Sequence, residues 1–159
     1  MMSRAQQILT LGRERGWRIA VAESCTGGLL AGALTEIAGS SDVFECGYVT
    51  YSNTAKMRLL RVQQDTLASY GAVSEETAVE MAKGALIDAG IDLAVSITGI
   101  AGPGASEHKP EGRVCFGVAT KSSATTETVE FGAIGRSRVR NASVEHALLV
   151  LLRALTPQS

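Results

Sequence analysis

The sequence predicts an α/β fold, a three-layer α/β/α sandwich around a mixed, mostly parallel five-stranded sheet. Short apolar runs rich in strand formers alternate with amphipathic helical patterns, which implies parallel strands joined by right-handed crossovers. Late in the chain two strand-like runs, 113–121 and 125–133, follow each other across a short polar gap, so antiparallel pairing must join the sheet. The 159 residues, 45% of them hydrophobic, suffice for one domain, 1–159, whose core needs neither disulfide nor metal.

The elements follow in order. Residues 3–15 place Ile8, Leu9 and Leu11 near one face, as an amphipathic helix would. RIAVAES (18–24) is a buried-type strand stopped by Ser-Cys-Thr-Gly-Gly, and LLAGALTEIA (29–38) a helix broken by Gly39-Ser40-Ser41-Asp42. CGYVTYS (46–52) reads as the second strand, followed by short helical patterns at 54–61 and 64–70. Ser74 with Glu75 and Glu76 supplies an N-cap and an acidic first turn for a helix to about Ala89. DLAVSITGI (92–100) is the third strand; a glycine-rich loop, the hairpin and a helix at 137–155 complete the chain.

Charge and composition exclude several classes. The 15 basic and 16 acidic residues leave a net charge of −1, against a nucleic-acid coat, which carries a basic excess. The longest apolar stretch, ALLVLL (147–152), is too short to span a bilayer, and the charged N-terminal segment does not read as a secretory signal. Cys25, Cys46 and Cys115, with His108 and His146, offer neither a disulfide framework nor zinc spacing. The expectation is a cytoplasmic protein with reduced thiols, no metal, no cofactor and no membrane or nucleic-acid partner.

Parallel strands gather their carboxyl ends on one edge, and ligands bind there at the switch point of the strand order. The first strand delivers Glu23-Ser24-Cys25-Thr26-Gly27-Gly28 to that edge, the second Tyr51-Ser52-Asn53 with Lys56 a turn beyond, and the third Ser96-Ile97-Thr98-Gly99 with the glycine-rich loop. Ser24 is the candidate nucleophile, next to backbone N–H groups that could hold an oxyanion; an ordinary helix cap is the bland alternative. Cys25 is the rival nucleophile. No histidine is visibly paired for a Ser-His-Asp triad, so Lys56 is the candidate base if burial or a nearby cation depresses its pKa. Lys83 and Lys121 read as surface residues, and Lys56 could be one too. Tyr51 could relay a proton or simply pack. Arg136, Arg138 and Arg140, at the start of the last helix, are either phosphate ligands or a solvated cluster. The loop 99–112 could cover a ligand or run over the surface.

Five ordered blocks together resemble the C-terminal domain of the CinA family of competence/damage-inducible proteins: AESCTGG (22–28), YVTYSNTAK (48–56), GAVSEETA (71–78), TGIAGPG (98–104) and KPEGRV (109–114), with the final R-x-x-V-R from Arg136 to Arg140. The resemblance implies hydrolysis of the carboxamide of nicotinamide mononucleotide to nicotinic acid mononucleotide and ammonia. It implies the same α/β/α sandwich, Ser24 as nucleophile with Lys56 and Tyr51 as activating partners, and no required metal. Thr26, Gly27, Gly28, Thr98, Gly99, Arg136 and Arg140 would bind substrate. The chain reads as the stand-alone form of the domain, and a homo-oligomer is expected. Ala105 and Glu111 stand where the family loop reads glycine and valine, and Gly135 where aspartate often precedes the arginines. A non-catalytic interaction module of the competence or damage response is the alternative.

Overall fold

The residues Ile19–Glu23 form strand β1, and all five are buried. A strand covered by helices on both faces reads as a continuous apolar run. Ile19 and Val21 enter the larger core with Leu93, Val95 and Ile97, while Ala20 and Ala22 face a smaller cluster around Leu60, Met81 and Ala94. The computed structural model describes residues 1–157. Around β1 it places α1 (Arg4–Arg15), α2 (Leu29–Thr35), β2 (Phe44–Val49), α3 (Asn53–Leu60), α4 (Gln64–Tyr70), α5 (Glu75–Ala89), β3 (Leu93–Gly99), β4 (Arg113–Thr120), β5 (Ala124–Glu130) and α6 (Arg136–Leu155).

The five-stranded sheet has the order β2-β1-β3-β4-β5. β1 pairs parallel with both β2 and β3, and β4 is antiparallel to β3 and β5. The mixed α/β sandwich is therefore the observed fold. Glu23 lies opposite Val49 on one side and Ile97 on the other, so three strands end at one level. From β1 the chain steps outward through α2 to β2, then returns past β1 through α3, α4 and α5 to β3. Right-handed crossovers in opposite directions lay their helices on opposite faces. α1, α2 and α6 accordingly pack together on one face, and α3 and α4 pack on α5 over the other. The crevice at the switch point opens beyond β1, where the helices diverge.

Local chemistry sets the ends of these elements. Ser3 and Gln6 form a capping box on α1, which Gly16 closes in the left-handed region at φ 67°. Ser74 caps α5 by accepting from the Thr77 N–H, with Glu75 and Glu76 in the first turn. Several boundaries differ from the sequence reading. β2 runs from 44 to 49 instead of 46 to 52, because Ser52 leaves the sheet to cap α3. α2 ends at Thr35, and Ser40–Asp42 form a 3-10 turn after Gly39. β5 stops at Glu130, since Phe131 N–H turns to the Gly112 carbonyl. The bland reading of Ser24 as a helix cap is corrected: α2 begins five residues later, at Leu29, after its cap Gly28 at φ 106°.

Candidate active site

Ser24 follows β1 directly, and its N–H is held by the Ile97 carbonyl of β3 at 2.9 Å. Lys56 lies in the first turns of α3, whose start is fixed by the Ser52 hydroxyl accepting from Ala55 N–H at 3.0 Å. Side chains on a helix lean toward its N-terminus, so the lysine stem is aimed back at the sheet edge. Its Nζ reaches Ser24 Oγ at 2.8 Å, and also donates to the carbonyls of Thr50 at 2.8 Å and Tyr51 at 3.2 Å. Lys56 is among the largest of the fully buried side chains, 1% exposed. Burial pushes its pKa down to about 8, against the opposing pull of Cys25 and Glu107.

Cys25 adjoins this pair, and burial pushes its thiol up to about 11. At neutral pH it is therefore a protonated thiol, a weak nucleophile. All three cysteines are free. Neither histidine approaches the pair: His146 bonds Glu127 at 2.9 Å and packs on Phe116, and His108 is exposed in the loop.

A cavity of about 320 Å³ opens in front of Ser24 and Lys56. Tyr51, Asn53, Thr98 and Arg136 line it together with residues 99–107 of the glycine-rich loop. That loop is tied down along its length. Lys109 Nζ donates to the carbonyls of Tyr70 and Val73, Glu107 accepts from Ala72 N–H at 3.1 Å, and Glu111 accepts from Gly104 N–H at 2.5 Å. It is a fixed wall, with Ile100 and Ala101 buried beneath it.

The other candidates divide. Thr98 Oγ1 donates to the Ala72 carbonyl at 2.8 Å, joining β3 to the start of α5 at the cavity, and Gly99 lines the same wall. Tyr51 is 61% exposed, and its hydroxyl accepts from Arg136 at 2.8 Å, so its phenol is turned away from Lys56 and only its carbonyl touches the amine. Arg136 also donates to the Gly102 carbonyl at 2.7 Å. Arg138 is exposed, and Arg140 is directed to the carbonyls of Cys25 and Thr26 instead of the cavity. Thr26 is fully buried, and neither it nor Gly27 nor Gly28 lines the cavity. The Gly27 N–H donates to the Ser24 carbonyl at 3.1 Å and the Gly28 N–H to Glu23 at 3.2 Å.

Sequence reasoning placed Glu23 and Asn53 at this edge without giving either a role, and it missed Glu107. Glu23 is fully buried, and its carboxylate accepts from the N–H groups of Gly28, Leu30 and Ala31. Its signal was a lone carboxylate closing an apolar strand. Among the described residues no cluster of three or more His, Cys, Asp or Glu could hold a metal ion, and no helix is long and apolar enough to cross a membrane.

The fold and the edge site define a class, an α/β sandwich with a buried lysine hydrogen-bonded to a serine at the carboxyl edge of its parallel strands. The chain belongs to the CinA C-terminal domain family, whose pattern matches residues 2–155. A CinA-like protein of Syntrophobacter fumaroxidans is 49% identical over 148 residues, 92% of this chain but 35% of that protein. The chain thus spans about a third of the length of such relatives. The nicotinamide-nucleotide amidohydrolase PncC of Enterobacter agglomerans is 49% identical over 142 residues, 89% of this chain and 87% of that enzyme. The crystal structure of competence/damage inducible protein CihA from Agrobacterium tumefaciens superposes with a TM-score of 0.91 at 47% identity, covering 96% of this chain and 93% of that one.

Proposed function

We propose that this chain hydrolyses the carboxamide of nicotinamide mononucleotide, giving nicotinic acid mononucleotide and ammonia, with Ser24 as nucleophile and Lys56 as its base. The observation that carries this reading is the 2.8 Å contact between a buried amine and a hydroxyl inside a cavity of mononucleotide size. The likeness to the Enterobacter agglomerans amidohydrolase over most of both chains supports the substrate.

The chemistry follows from the partners of the amine. A neutral lysine has two N–H groups and one lone pair. The carbonyls of Thr50 and Tyr51 accept the two N–H groups, which leaves the lone pair for the Ser24 hydroxyl proton. Ser24 Oγ attacks the amide carbon as its proton passes to Lys56. The Cys25 N–H, beside the nucleophile on a residue that lines the cavity, donates to the developing oxyanion. The lysine then protonates the departing ammonia, and water resolves the ester by the reverse transfer. Arg136 retains free guanidinium N–H groups for the phosphate, and Glu107, the one acidic side chain lining the cavity among the described residues, faces the cationic ring.

Ammonia release from a panel of nucleotides and amides tests the reading. Ser24→Ala should lower turnover of nicotinamide mononucleotide by roughly 10⁴-fold or more while the circular dichroism spectrum is unchanged. Full activity in that variant would remove Ser24 from the chemistry, and no turnover of any amide by the wild type would favour the interaction module.

A further inference from the structure

Backbone contacts fix the chain on both sides of the candidate nucleophile. Ser24 donates its N–H to Ile97, and its carbonyl accepts from Gly27 N–H at 3.1 Å. The Cys25 carbonyl accepts from Arg140 Nε at 3.0 Å, and a second guanidinium nitrogen lies 3.4 Å from the Thr26 carbonyl. In a trans peptide unit the C=O and N–H point in opposite directions. With the Ser24 carbonyl turned toward Gly27, the Cys25 N–H is turned the other way, and Cys25 lines the cavity.

Two features give this arrangement a purpose. The first N–H groups of α2, which would otherwise compete for an anion, are taken by the buried Glu23 carboxylate. Arg140 reaches Cys25 from α6, a helix far along the chain, and takes no part in lining the cavity. The Gly27 contact fixes the plane that carries the Cys25 N–H, and a guanidinium fork on the next two carbonyls fixes the two planes that follow it, which a single point charge does not.

We propose that Arg140 is a positioning residue for the nucleophile loop: it holds the Cys25 carbonyl so that the Cys25 N–H stays turned to the developing oxyanion, and it does not bind the substrate's phosphate. Glu23 is the second anchor of the same loop. The inference rests on the reading of Ser24 as nucleophile.

Steady-state ammonia release from nicotinamide mononucleotide by the purified full chain tests it. Arg140→Ala should lower kcat by roughly 100-fold with KM held within about threefold, since misplacing one oxyanion donor acts on the transition state alone. Guanidinium ion added to Arg140→Ala should restore part of kcat, and the pH midpoint of kcat/KM should stay where it is in the wild type. Arg140→Gln, which keeps one donor for the Cys25 carbonyl, replaces Arg140→Ala if the latter does not fold. A KM raised by about tenfold or more with kcat unchanged would make Arg140 a substrate ligand and overturn the proposal. Wild-type kcat would overturn it as well, and so would a lost kcat that guanidinium leaves unrecovered. Ser24→Ala run alongside separates the two readings. If it is inert while Arg140→Ala is fully active, only the role of Arg140 falls; if it is active, the nucleophile falls first.

Discussion

Lys56 ties rate and stability to pH through one buried amine. The base must be neutral, and burial brings its pKa to about 8. The kcat/KM for nicotinamide mononucleotide should therefore rise about tenfold per pH unit below pH 8 and level off above it, as that ratio reports the free enzyme. Stability moves in the same direction. The folded pKa lies below the unfolded value of 10.5, so the unfolded chain binds the extra proton between about pH 8 and 10.5. The penalty for burying the charge is fully present below pH 8 and fades as pH rises to 10.5. Urea denaturation should show the stability of the wild type relative to Lys56→Met improving by roughly 3 kcal/mol across that window, at 1.36 kcal/mol per pKa unit. A flat difference would mean that the amine is not held in a depressed state.

At the scale of elements, the site depends on how α3 meets α5. Gly84 of α5 lies against the end of α3, where an added Cβ would stand 1.9 Å from the Leu60 carbonyl oxygen. Backbone cannot yield as a flexible side chain can, so Gly84→Ala must push α3 outward. We expect a loss of about 2–3 kcal/mol in denaturant titration, with kcat falling because Lys56 rides on α3. A stable and fully active Gly84→Ala protein would show that α3 can shift without moving the amine. The same scale explains where the sequence misled. Tyr51 alternates correctly for a strand, yet Ser52 has a stronger role as the cap of α3, and the chain leaves the sheet after Val49. Gly27 and Gly28 read as ligand-contacting glycines. Their positive φ values of 59° and 106° instead turn the chain so that Glu23 can collect the amides of α2.

For the molecule as a whole, the order of elements, the mixed sheet and the edge carrying Ser24, Lys56 and Thr98 were legible from the sequence, whereas the place of Arg136 beside that edge was not. Apolar runs and caps are local signals, and right-handed crossovers leave few ways to connect them. The sequence by itself also determined which residue types could meet at that edge. Only the tertiary structure decided which of them do. It turned the Tyr51 phenol to Arg136, sent Arg140 to the Cys25 carbonyl and buried Glu23 beneath α2. Lys56 illustrates the reason. From the chain alone it is an ordinary lysine, and its chemistry comes from the loss of water around it, which depends on packing between elements distant in sequence. Backbone periodicity encodes where an element lies, whereas the direction of a long side chain is settled by the hydrogen-bond acceptors that packing leaves within its reach.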